Sequence, residues 1–171
     1  MTKSIELRRH TANDGDVLTA DGIAEAVRIG AALRGPYDLV VSSGAQRATQ
    51  AAACFIAGSG LPVPGGVVVL DGLRSEHEDR WRDIYSKTRN GELAAFLEAD
   101  RSFVELETER FIDALRGIAA LVPNGGRALA VGHSPMIEAA VWGATGRTIA
   151  ALGKGDGVVV VCDGDAFTLH E

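Results

Sequence analysis

The residues of this chain that could do chemistry together are two arginines, two histidines and a nearby group of glutamates. Arg9-His10 closes a short hydrophobic run that begins at Ile5, and Arg47 follows a second run with Ser42-Ser43 at its end. His133 follows a later run, Arg127 to Val131, and Glu76 and Glu78 lie between, after Val67 to Leu70. Arginine presents a planar fork that binds phosphoryl oxygens two at a time. A neutral imidazole can add donors or attack phosphorus. Arg47 falls in the first turn of a helical segment, where a cation opposes the macrodipole, so an anion is expected close by. Attack by His10 on phosphorus would divide a hydrolysis into two steps. Fixed donors would hold the charge in transfer, and a carboxylic acid could protonate the leaving alkoxide.

These residues need a scaffold that brings them to one place. Ile5–Arg9 reads as a first strand, and Thr11–Val17 as a polar loop. Thr19 is placed as the N-cap of a helix in which Ile23, Val27 and Ala31 recur at helical spacing, and Gly35-Pro36 stops it. Asp38–Ser42 is a continuously apolar strand, Ser43-Gly44-Ala45 a turn, Gln46–Ala57 an alanine-rich helix, and Val67–Leu70 a third strand expected to be buried. Residues 71–123 form a long charged excursion that reads as helices, most clearly at Glu107–Leu121. Arg127–Val131 is a fourth strand and Met136–Trp142 a helix. Gly157–Cys162 and Ala166–Leu169 are two final strands, joined by the hairpin signal Asp163-Gly164-Asp165.

Strands alternating with helices predict an α/β fold with a mostly parallel sheet covered on both faces, ending in an antiparallel edge hairpin. Ligands of such sheets bind beyond the carboxyl ends of the strands. Arg9-His10, Ser43 with Arg47, the two glutamates and His133 each follow a different strand, so all are expected at that one edge.

The bulk properties narrow the partners. The 171 residues fit one domain, with 71–123 as an excursion over the site, and 46% hydrophobic residues are enough for a packed core. A net charge of −6 argues against a nucleic-acid or anionic-membrane partner held by overall charge. The start, Met1-Thr2-Lys3-Ser4, has no signal-peptide core and no run approaches membrane-spanning length, so a cytoplasmic location is expected. Cys54 and Cys162 read as reduced, buried thiols, with no spacing for a metal site.

Four segments in order resemble the histidine phosphatase (phosphoglycerate mutase-like) superfamily. Leu7-Arg8-Arg9-His10-Thr11 resembles its RHG signature, and Leu18-Thr19-x-x-Gly22 its LTxxG helix start. Ser42-Ser43-x-x-x-Arg47-Ala48-x-Gln50 resembles its SSxxxRAxQT segment, and Gly132-His133-x-Pro135 its GHxP segment. The resemblance implies a three-layer α/β/α sandwich and no metal or organic cofactor. It makes His10 the phosphorylated nucleophile, with Arg9, Arg47 and His133 as the phosphate pocket. Thr11 stands where the family has glycine, and its hydroxyl could face the substrate; Ser43 could also touch phosphate. The proton donor is expected at Glu76, with Glu78 second. The short loop after His10 resembles the compact SixA-like branch, whose members act on phosphohistidine. The activity implied is hydrolysis of phosphate monoesters, the substrate being a small phosphorylated molecule or a phosphoprotein. Alternatives are a phosphohistidine-protein phosphatase, a phosphoglycerate mutase and a non-catalytic phospho-ligand binder. Trp81 and Tyr85, four residues apart, are expected to pack together. His77 is expected at the rim, while Asn13 is a weaker ligand and His170 has no role.

Overall fold

A computed structural model describes residues 1–170. Its centre is a six-stranded sheet in the order β5-β4-β6-β1-β7-β8. The strands are β1 (Lys3–Arg9), β4 (Leu39–Ser42), β5 (Val67–Val69), β6 (Arg127–Gly132), β7 (Gly157–Asp163) and β8 (Ala166–His170). The first four run parallel, and β7 and β8 are antiparallel additions beside β1. A separate two-stranded hairpin pairs β2 (Asn13–Asp14) with β3 (Val17–Leu18). It lies inside the stretch read from sequence as plain loop. Two-residue strands are too short to show a period.

Helices α1 (Ala20–Ala32) and α2 (Gln46–Ser59) cover one face of the sheet, packing Ala26, Ala48, Ala52 and Phe55 onto Val40, Leu129 and Val131. The other face carries α3 (Glu78–Thr88), α4 (Leu93–Leu121) and α5 (Met136–Thr145), whose Trp81, Phe96, Phe111 and Leu115 pack over Ile5, Leu7 and Ala130. Three layers follow, as expected. Each large apolar side chain taken fully from water adds about 2–3 kcal/mol to the drive for this arrangement.

Two expectations change. The β5 run is apolar but sits at the sheet edge with one neighbour, so Val67 and Val69 stay 51% and 57% exposed. An apolar run alone does not separate an edge strand from a central one. The helix read at Glu107–Leu121 begins at Leu93, with a break at Asp100, which has φ −156° and ψ 73°. The Asp100 carboxylate accepts from the Phe103 N–H at 3.3 Å, so it caps the second half of α4.

Buried polar groups tie the excursion to the core. Glu107 is buried within it and accepts from the Ser75 hydroxyl and, at 3.3 Å, from Trp81 Nε1. Trp81 also packs on Phe96, Phe103 and Phe111 at ring separations of 5.5, 5.0 and 6.4 Å. The base of α3 is thereby fixed where it overhangs the ends of β1 and β6. Both cysteines are free, Cys162 buried and Cys54 half-buried.

Candidate active site

β1 and β6 pair in register, Arg9 beside Gly132, so the residues that follow them, His10 and His133, emerge together. Their rings lie 5.2 Å apart, centre to centre, and both are 4% exposed. Arg9, His10, Arg47 and His133 line a single cavity of about 710 Å³ with Glu78, Asp16 and Lys154 on its walls.

His10 is set up as a neutral base with one free nitrogen. Its Nδ1 lies 2.8 Å from the Thr11 carbonyl, which can only accept, so the proton belongs on Nδ1 and Nε2 keeps its lone pair. Arg47 Nε donates to that Nε2 at 3.3 Å. Burial pushes the His10 pKa down to about 4, overcoming the Thr11 bond and helped by the charges of Lys154, Arg47 and Arg9. Burial and the same arginines press His133 to about 2. Both imidazoles are neutral at pH 7.

Arg47 is held by carboxylates on two elements. Its Nη1 donates to Asp16 at 2.8 Å, and its Nη2 lies 3.5 Å from Glu78. Asp16 also accepts from the Gln46 and Arg47 backbone N–H groups at 3.3 and 3.4 Å. The anion expected at the start of α2 is therefore supplied by the protein itself. Burial works against the Asp16 charge, but these hydrogen bonds outweigh it and hold its pKa below the usual range.

Arg9 Nη1 donates to the Leu152 carbonyl at 2.6 Å, and the Leu152 N–H donates to Glu138 at 2.7 Å. Glu138 is fully buried and takes a second bond from Ser134 Oγ at 2.5 Å. Burial raises its pKa, with the two hydrogen bonds and Arg9 opposing. The backbone of one residue, Leu152, thus joins a buried carboxyl on α5 to the arginine at the end of β1.

Several expected site residues move. Glu76 lies outside the cavity, 70% exposed along its side chain, and pairs with Arg110 at 3.0 Å. It precedes α3, whereas Glu78 is the first residue of that helix, and the two-residue difference puts only Glu78 on the cavity wall. Glu78 accepts from Arg74 Nε at 2.6 Å. Thr11 is fully buried and its hydroxyl donates to the Gly22 carbonyl at 2.7 Å, so it does not face a substrate. Ser43 is buried too, its Oγ 2.7 Å from His133 Nε2, and it supports the histidine from behind. Trp81 packs in the core on Phe96, Phe103 and Phe111, while Tyr85 is half exposed at the mouth. His77 is exposed and precedes α3, away from the cavity.

Lys154, Asp16 and Glu138 were not singled out in the sequence. Glu138 carried a signal, a lone charge in the apolar run Met136-Ile137-Glu138-Ala139-Ala140-Val141. Lys154 sits in Gly153-Lys154-Gly155, which reads only as a loop.

Comparisons with known proteins bear on the family and the fold. A family model described as histidine phosphatase superfamily (branch 1) matches residues 4–157. Among curated protein sequences nothing matches. Solved structures resemble it in fold over nearly the whole chain. A mycobacterial hydrolase, "Mycobacterial hydrolase 1", is 19% identical with a TM-score of 0.75, covering 100% of this chain and 98% of its own. A phosphoglycerate mutase from Bacillus anthracis str. Sterne is 17% identical with a TM-score of 0.73, covering 99% and 92%. A mycobacterial glucosyl-3-phosphoglycerate phosphatase is 17% identical with a TM-score of 0.71, covering 99% and 97%.

Proposed function

Since the chain belongs to the histidine phosphatase superfamily, we propose that it hydrolyses small phosphate monoesters through a phosphohistidine on His10. The observation that carries this reading is His10 itself: a buried neutral imidazole, its Nδ1 tied to the Thr11 carbonyl and its Nε2 beside the Arg47 guanidinium.

In the first step the Nε2 lone pair forms the N–P bond as the P–O ester bond breaks, and the electron pair leaves on the alkoxide oxygen. Phosphoryl oxygens draw Arg47 away from Nε2, and Arg9 binds them from the end of β1. Ser43 Oγ accepts from the Ala45 N–H at 3.4 Å and shares a hydrogen bond of 2.7 Å with His133 Nε2, which holds the ring in place. The neutral His133 ring lies on the cavity wall 5.2 Å from that of His10 and bounds the space in which the phosphoryl group moves. Glu78 protonates the leaving oxygen, the role the sequence reading gave first to Glu76. In the second step water attacks phosphorus, Glu78 takes its proton, and the N–P bond breaks to restore His10.

A carboxyl on the wall favours an ester over a phosphohistidine substrate, whose leaving imidazole needs less help from an acid. A cavity of about 710 Å³ suits a small phosphorylated molecule better than a protein domain. Phosphatases acting on glucosyl-3-phosphoglycerate share the fold and support the same substrate class. Among the described residues no helix is long and apolar enough to cross a membrane. A His10→Ala variant assayed with p-nitrophenyl phosphate tests the reading. A fall in kcat of at least a thousandfold is expected, and turnover at the wild-type rate would refute it.

A further inference from the structure

Lys154 lies on the loop between α5 and β7, on the wall of the cavity that holds His10, Arg9 and Arg47. Its ammonium donates to the side-chain oxygen of Asn13, on the β2–β3 hairpin. That partner is neutral. The other cations of the cavity have carboxylates to answer them: Arg47 has Asp16 and Glu78, Arg82 has Asp79, and Arg9 is backed by Glu138. Among the described residues no carboxylate pairs with Lys154, and the charges acting on it are those of Arg9 and Arg47.

Lys154 is exposed on the cavity wall, and its loop is pinned at the end of β1, the Gly155 N–H donating to the His10 carbonyl at 3.3 Å. Loss of solvent on its cavity side and the two arginines pull its pKa down to about 8. Its charge also bears on the nucleophile, acting on the His10 ring ahead of Arg47 and Arg9. With no carboxylate to answer it and its loop bonded to the His10 backbone, this charge faces an anion held at the end of His10.

We propose that Lys154, held by Asn13, is a further catalytic residue whose ammonium binds the phosphoryl group as it passes to and from His10. This rests on the phosphohistidine reading above. Lys154 approaches on the side of the β2–β3 hairpin, and Arg9 and Arg47 come from strand and helix ends. Three cations then surround the equatorial oxygens, where charge is spread during transfer. Lys154 takes no part in bond making. Its role is Coulombic, so arginine should replace it and a neutral side chain should not.

The test uses Lys154→Met, Lys154→Gln and Lys154→Arg in the full chain, with p-nitrophenyl phosphate as substrate and orthovanadate as the phosphoryl probe. Met and Gln are each expected to lower kcat/KM at least tenfold and to raise the vanadate inhibition constant at least tenfold. Arg is expected to stay within about threefold of wild type in both. Gln keeps a polar contact to Asn13 without the charge, so a Gln variant that matches wild type would overturn the proposal. So would a Met variant with unchanged vanadate affinity. The parent reading fails separately, if the wild-type enzyme forms no phosphohistidine on His10.

Discussion

At the scale of single residues, the site is a matter of which atom each side chain leaves free. The Thr11 carbonyl fixes the His10 proton on Nδ1, and Ser43 holds His133 through Nε2. The glycine-to-threonine departure in the signature therefore acts inwards. The Thr11 hydroxyl ties the loop that follows His10 to α1 through the Gly22 carbonyl and does not line the cavity. The same scale separates the two glutamates. Glu78→Gln should lower kcat for alkyl phosphates ten- to a thousandfold, while p-nitrophenyl phosphate, with its good leaving group, should suffer less. Glu76→Gln should stay within about twofold for both, because it loses only an exposed pair with Arg110. Steady-state kinetics on the two substrates decides the matter, and equal losses in both variants would contradict the assignment.

At the scale of elements, the segments that resemble the family turn out to be joints between secondary structures. Thr19 caps α1 by accepting from the Gly22 N–H at 3.0 Å, and Gln50 on α2 accepts from the Leu18 N–H at 2.8 Å. Gly22 lies where a Cβ would stand 2.0 Å from the Ala12 carbonyl oxygen. Gly22→Ala should therefore push α1 off the loop that follows His10. A loss of about 1–3 kcal/mol of stability is expected, together with a larger fall in activity than the stability loss explains. Denaturant titration alongside kinetics measures both. These joints were legible in sequence because each carries a particular residue type at fixed spacing. The β2–β3 hairpin, the edge position of β5 and the start of α4 at Leu93 were not. Two-residue strands have no period, an apolar run does not reveal its neighbours, and Asp100 caps from within what is otherwise helical sequence. Glu78 in place of Glu76 follows from the same limit. Where α3 begins is set by the packing of Trp81 and Glu107, which no local pattern states.

At the scale of the whole molecule, the strand ends and the excursion make one cavity, and its neutral histidines link function to stability. An unfolded histidine takes up a proton near pH 6.5, while His10 in the fold resists until about pH 4. The unfolded chain thus binds more protons across that window. Stability present above pH 6.5 is lost as pH falls towards 4, by about 3 kcal/mol for His10. His133 extends the loss to lower pH, and Glu138, whose pKa is raised by burial, works the other way, adding stability as pH falls towards the ordinary carboxylate range. Thermal melts between pH 7 and 4 should show a steeper loss in wild type than in His10→Gln, and parallel curves would count against a neutral buried His10. The residues that carry the site were readable from the sequence because they sit at strand ends. Lys154, Asp16 and Glu138 were not, because each acts through a partner distant in sequence: Asn13, Arg47 and the Leu152 peptide.

The central claim is that phosphorus is bonded to His10 during turnover. The direct measurement is a rapid quench of the wild-type enzyme with p-nitrophenyl phosphate, followed by peptide mapping under alkaline conditions. The account predicts an acid-labile, alkali-stable phosphate on the peptide containing His10, absent from His10→Ala. Steady turnover with no phosphate on that peptide, or with phosphate trapped on another residue, would contradict it.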